Sequence, residues 1–191
     1  DKVQEVIAKI QTDGFSTTIE AIRSKLDQPL SLGYCNVGRV IDAADTGFAL
    51  GARVASNGAH AEIVSVPKNL VAIIPDEVND ESAAFTVLGA IAMQGVRLVN
   101  PSIGETVVVT GLGLIGLLAV QILKANGCQV LGFDLDANKV ELAKRYGVRA
   151  WDLTDNADPV AICLSQSQSY GVDGVLITAA TQSNAPIEQA P

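Results

Sequence analysis

The sequence predicts an α/β protein in which a parallel, doubly wound sheet follows a smaller β-rich unit. Three observations predict it. Between residues 106 and 134 an apolar β-branched run, a glycine turn, a long apolar helical stretch and a second apolar run follow one another. From residue 136 to 178, helix-like and strand-like stretches go on alternating, as parallel sheets require. Before Asp80, by contrast, short extended stretches are separated only by Gly, Asn and Asp turns.

Taken in order, residues 2–10 carry Val3, Val6, Ile7 and Ile10 at helical spacing, and Gly14 ends that unit. Thr17-Thr18-Ile19-Glu20 fits a capping box and opens a helix through Leu26, which Pro29 closes. Residues 38–43, 52–55 and 62–66 read as short strands, and 67–75 as a further extended stretch. Asp80 is an N-cap, and 83–98 is a helical run that Pro101 keeps from continuing. The domain boundary falls there, giving units of residues 1–79 and 80–191. Residues 106–110 form a buried strand, 114–125 a helix with Asn126-Gly127 as its C-cap, and 129–133 a second strand running into Asp134. A helix over 136–146, a strand over 150–152, a helix from Pro159 to Gln166 and a strand over 174–178 complete the series.

Composition narrows the function. Nearly half of the 191 residues are apolar, the net charge is −8, and the basic residues are scattered. Nucleic acids and anionic membranes, which call for clustered Lys and Arg, are disfavoured. Val107 to Leu123 is broken by three glycines and is too short for the ~20 apolar residues of a membrane span. Cys35, Cys128 and Cys163 have no paired spacing, and reduced thiols in a cytoplasmic protein are the simplest reading. The chain starts without methionine and ends about two strands short of a full dinucleotide sheet. A piece of a longer protein is expected.

The glycine turn carries the chemistry. Gly111, Gly113 and Gly116 form a G-x-G-x-x-G set placed between strand and helix, with the acid Asp134 at the tip of the next strand. Gly111 allows the tight turn, Gly113 the close approach of backbone to a pyrophosphate, and Gly116 close packing of helix on strand. The diphosphate would rest on the free N–H groups of residues 111–116 (Gly111, Leu112, Gly113, Leu114, Ile115, Gly116) at the positive end of the helix dipole. Asp134 would bind a ribose diol and repel a 2′-phosphate, and no Arg lies between Asp134 and Lys144, so NAD is expected over NADP. Thr178, Ala179 and Ala180 follow the fourth strand and would border the ligand at the carboxyl edge; an ordinary loop is the other reading. An S-adenosylmethionine enzyme is a weaker alternative for such a glycine turn, and Gly116 argues against it.

A β-rich unit, a linking helix and a glycine-turn domain together resemble the medium-chain dehydrogenase/reductase superfamily, the zinc alcohol dehydrogenase relatives. Leu32-Gly33-Tyr34-Cys35-Asn36-Val37-Gly38-Arg39-Val40 is similar to its L-G-H-E-x-x-G-x-V segment, Gly51-Ala52-Arg53-Val54 to G-D-x-V, and Gly58-Ala59-His60-Ala61-Glu62 to G-x-x-A-E. Asp134 followed by Lys139 is similar to its NAD-selecting pair. The phrases GYCNVGRV, ASNGAHAE, FTVLGAIAMQG and GLGLIGLLAVQILKANGC resemble the dehydrogenase half of bacterial bi-domain oxidoreductases. The resemblance implies a partial GroES-like domain over 1–79 with a helical insertion at its start. It implies a truncated Rossmann domain over 80–191, a small-molecule substrate, and a homodimer or a fused second oxidoreductase domain.

The departures bear on chemistry. In zinc members a His of L-G-H-E and a Cys near the linking helix hold the metal, with a further cysteine upstream; here the first two positions are Tyr34 and Thr86, and the third would lie before Asp1. A catalytic zinc needs about three His, Cys or carboxylate ligands, and no metal is expected. Tyr34 is then the leading candidate to hold a developing oxyanion, against a core tyrosine whose hydroxyl bonds to backbone. His60, the sole histidine, is a candidate proton shuttle, against a hydrogen-bonded residue at a strand start. No feature brings Cys35 into reach of His60 as a thiolate dyad. Two functions follow: a zinc-independent NAD(H) oxidoreductase, or a non-catalytic NAD-binding module that supports a partner enzyme.

Overall fold

A computed structural model describes residues 10–12, 14–26, 31–154 and 157–190. In chain order the elements are α1 (Phe15–Leu26), β1 (Asn36–Arg39), β2 (Arg53–Ser56), a 3-10 turn (Lys68–Leu70), β3 (Val71–Ile73), α2 (Asp80–Ala83) and α3 (Thr86–Val99). Then come β4 (Thr106–Thr110), α4 (Leu114–Ala125), β5 (Gln129–Asp134), α5 (Ala137–Arg145), β6 (Arg149–Asp152), α6 (Pro159–Gln166), β7 (Gly174–Ile177) and α7 (Ala185–Glu188).

The β-branched run of β4 lies inside a four-stranded sheet of order β6-β5-β4-β7, and every neighbouring pair is parallel. Because side chains alternate along a strand, β4 and β5 feed two cores. Val107, Val109 and Val130 join Ala92 and Val96 of α3, Ala119, Val120 and Leu123 of α4, and Val140 and Ala143 of α5. Val108, Leu131 and Phe133 face the other way, toward Trp151, Ile162 of α6 and Val175. Burial on both faces is why these strands read as continuous apolar runs.

The smaller sheet is antiparallel, in the order β1-β2-β3. Its core of Ala55 and Ile74 also takes in Ala83 of α2, with Val37 and Val78 packed alongside. Arg53 of β2 bonds to the Asp80 carboxylate and, at 2.7 Å, to the Val78 carbonyl. This tie fixes the β unit to the start of the linking helices. No helix among the described residues is long and apolar enough to cross a membrane.

Several local expectations are corrected. Residues 62–66 form bends and irregular chain rather than a strand, and the third strand is β3, inside the stretch read only as extended. The helix read as starting at the Thr17 capping box starts at Phe15, and it is Thr18 whose hydroxyl bonds back, to the Gly14 carbonyl. Asn79, not Asp80, caps α2 by accepting from the Ser82 N–H. The single helix expected over 83–98 is two, because the Thr86 hydroxyl takes the Ala83 carbonyl at 2.6 Å and Phe85 bonds three residues back, to Ser82. The helix expected over 2–10 lies outside the described residues except at Ile10.

Candidate functional site

The turn between β4 and α4 is held as its three glycines require. Gly111 has φ +97°, and a side chain there would lie 2.5 Å from the Ala179 backbone nitrogen. A Cβ on Gly116 would lie 1.9 Å from the Gly111 carbonyl oxygen. A Cβ on Gly113 would meet nothing within 4 Å, so open space lies beside that residue. Gly113 caps α4 without any side-chain acceptor. Among the described residues, the N–H groups of Gly113, Leu114, Ile115 and Gly116 donate to no protein acceptor, and the first helical bond runs from Leu117 to Gly113. Four donors without a protein acceptor thus gather at the positive end of the helix, beside that residue, an arrangement suited to an anion. Leu112 is different. Its side chain is fully buried in the main core and its N–H is already bonded.

That bond goes to Asp134. One carboxylate oxygen accepts the Leu112 N–H at 2.6 Å, and the other accepts the Asp136 N–H at 2.9 Å. The Lys139 ammonium lies 3.8 Å from the Asp134 carboxylate and 3.9 Å from that of Asp136. Asp134 keeps 11 % of its side chain exposed. It is neither turned into bulk water nor saturated, since a carboxylate accepts about four hydrogen bonds.

Thr178 follows β7 directly, and its hydroxyl donates to the Gly111 carbonyl at 2.5 Å. The strand end and Ala179 therefore pack against the glycine turn, at the carboxyl edge of the sheet.

A cavity of about 520 Å³ opens between the small sheet and α3. Tyr34 and Thr86, the two residues at the metal-ligand positions of the resemblance, both line it. Helix α3 ties this cavity to the glycine turn. It runs antiparallel to β7, with Val99 against Gly174 and Gly95 against Leu176. The nine helical steps from Gly95 back to Thr86 therefore extend about 14 Å at about 1.5 Å each, past the carboxyl ends of the strands. The cavity and the open seat at Gly113 share that edge.

Tyr34 is half exposed and its hydroxyl makes no hydrogen bond among the described residues, so it is not a core tyrosine. Thr86 uses its proton on the Ala83 carbonyl and presents only acceptor capacity. His60 is exposed, not at a strand start, and has its imidazole laid against Gly33, where a Cβ would be 2.2 Å from the ring. It does not line the cavity, and the structure does not join it to Cys35 in a hydrogen bond. Among the described residues no group of three His, Cys, Asp or Glu is arranged to hold a metal ion.

Comparison with known proteins bears on this arrangement. Residues 115–190 match the family model for the zinc-binding dehydrogenase. An alcohol dehydrogenase from Moraxella sp. (strain TAE123) is 34 % identical over 124 residues, which cover 64 % of this chain and 36 % of that protein. The matched residues make the chain similar to zinc-type alcohol dehydrogenases of the medium-chain dehydrogenase/reductase kind. Among solved members, an alcohol dehydrogenase from Thermus sp. ATN1 superposes with a TM-score of 0.76 at 22 % identity, over 83 % of this chain and 57 % of that one. A mycobacterial protein solved in complex with NADPH is 30 % identical, with a TM-score of 0.64 over 80 % of this chain and 51 % of that one. The chain spans 36 % of the length of the Moraxella relative that it matches.

Sequence reasoning missed the rest of the cavity lining, including the amides Asn57, Asn69 and Gln94. Gln94 had a signal: Thr86, Ala90 and Gln94 recur every four residues and so share one helix face. Asn57 and Asn69 had none, because the loops that bring them together are fixed by the pairing of β2 with β3.

Proposed function

We propose that the chain is the cofactor-binding and substrate-facing part of a zinc-independent, NAD(H)-dependent oxidoreductase acting on a small carbonyl, alcohol or saccharide-derived compound. The observation that carries this reading is the open space beside Gly113 at a helix start with four free N–H groups, with the partly exposed Asp134 bonded to the same turn through the Leu112 N–H. The donor set suits a dinucleotide: main-chain amides for a diphosphate, a carboxylate for a ribose diol. When bound, NAD supplies two-electron hydride chemistry at its nicotinamide. Residues 80–191 form the Rossmann unit in this reading, and 1–79 the GroES-like unit.

Zinc fits poorly despite the family's description. A phenol and a hydroxyl that already donates elsewhere replace two ligand positions. In place of a metal, Tyr34 would hold a proton at its Oη beside the substrate oxygen, where negative charge develops as the carbonyl is reduced. The lining carries no charged side chain among the described residues, which suits an uncharged substrate. Asp134 favours NAD, although the mycobacterial relative was solved with NADPH.

Titration of the protein with NADH and NADPH, followed by nucleotide fluorescence, tests the reading. Saturation by NADH at lower concentration than by NADPH is expected. No saturable signal from either at millimolar concentration refutes it, and tighter NADPH binding refutes the cofactor preference.

A further inference from the structure

We propose that Thr178 is a positioning residue that locks the glycine turn into its anion-accepting shape. The inference rests on the dinucleotide reading above. One peptide plane, between Gly111 and Leu112, is held at both of its polar ends by residues remote in sequence. Its carbonyl accepts the Thr178 hydroxyl at 2.5 Å, across 67 residues, and its N–H donates to Asp134 at 2.6 Å, across 22. The Thr178 hydroxyl also lies 3.3 Å from the Thr110 carbonyl, and the Thr178 N–H donates to that same carbonyl at 2.8 Å. The strand end is therefore fastened before its side chain reaches out.

The clamp is needed because of what Gly111 permits. Without a Cβ, and at φ +97°, that residue leaves the following peptide plane free to rotate more readily than any other residue would. Rotation would carry the Gly111 oxygen away from Thr178. The oxygen already sits against α4, since a Cβ on Gly116 would be 1.9 Å from it and 2.8 Å from the Thr178 hydroxyl. A released carbonyl at this place would compete with an anion for the free N–H groups at the start of the helix. Gly111 is buried, so its oxygen has no solvent alternative to Thr178. The hydroxyl thus acts through the backbone and not by touching the ligand.

The test compares Thr178→Val, which keeps the shape and removes the hydroxyl, with Thr178→Ser, which keeps the hydroxyl. NADH and ADP-ribose, which carry the diphosphate, are titrated beside adenosine, which carries none. Valine should weaken both diphosphate ligands about three- to tenfold, the range for one lost neutral hydrogen bond. Adenosine binding should stay within about twofold, and serine should restore NADH affinity. If valine leaves NADH binding unchanged while the unaltered protein binds it saturably, this inference fails and the cofactor reading stands. If the unaltered protein binds neither NADH nor NADPH, both fail. Equal weakening of adenosine and NADH would mark general loosening and overturn the positioning role. Should Thr178→Val not fold, Thr178→Ala against Thr178→Ser carries the same comparison.

Discussion

Replacing Gly113 by alanine separates ligand chemistry from folding more cleanly than any other change at this site. In the folded protein the new methyl group meets nothing within 4 Å, and φ −70°, ψ −167° at this position is extended backbone open to any residue. Two small effects on stability oppose each other. Alanine is a poorer N-cap than glycine, by up to about 1 kcal/mol. It also restricts the unfolded chain, which stabilises by about 0.4–1 kcal/mol. The net change in folding stability is therefore about zero. Binding is another matter, because the methyl projects into the space where a diphosphate would approach the amides of residues 113–116. Losing one or two charge-assisted hydrogen bonds, each about 1.5–3 kcal/mol, weakens NADH binding at least tenfold. Thermal unfolding and an NADH fluorescence titration on the same preparation read the two quantities. A variant that melts with the unaltered protein and binds NADH within twofold of it would refute the placement of the ligand at this seat.

Gly116→Ala should behave oppositely: its methyl would sit 1.9 Å from the Gly111 backbone oxygen, which the Thr178 hydroxyl holds in place, so the cost lies toward the upper end of the ~1–3 kcal/mol for overpacking. A melting temperature lower by about 2–4 °C for each kcal/mol of that cost is expected for a chain of this size, even with no ligand present. Tyr34→Phe should lower turnover at least tenfold with little change in NADH affinity; unchanged turnover with every substrate turned over by the unaltered protein would favour the non-catalytic module. Burial, and then the charge of Asp158, pushes the Cys163 thiol above its ordinary value of about 8.5. Because the folded form holds that proton more tightly, the contribution to stability is present below the ordinary value and is lost as pH rises through the folded one. Iodoacetamide should accordingly modify Cys163 more slowly in the folded than in the urea-unfolded protein at pH 8, and peptide mass mapping over time checks this.

The parts of this site that were legible in the sequence are those whose causes are local. Thr106–Thr110 and Leu114–Ala125 fold over the residues expected, because a β-branched run, a glycine turn and an Asn-Gly cap each act within a few positions. Asp134 was legible for the same reason, at the tip of an apolar strand that leads straight into it. What Asp134 bonds to was not, since Leu112 is 22 residues away and only the parallel pairing of β4 with β5 brings it near. Residues 62–66 show the converse failure: their composition suits a strand, yet β2 takes β3 as its partner and leaves them without one. The split between α2 and α3 turns on one hydroxyl, Thr86, that competes with the helical ladder.

Leu112 joins the interior and the ligand seat in a single residue: its side chain is part of the main apolar cluster while its amide fastens the acid of the next strand. Repacking the interior around it would therefore shift the carboxylate proposed above to bind a ribose. Under the proposed dinucleotide reading, selection for thermal robustness and selection for cofactor preference act on common atoms, so that a change in one carries the other with it.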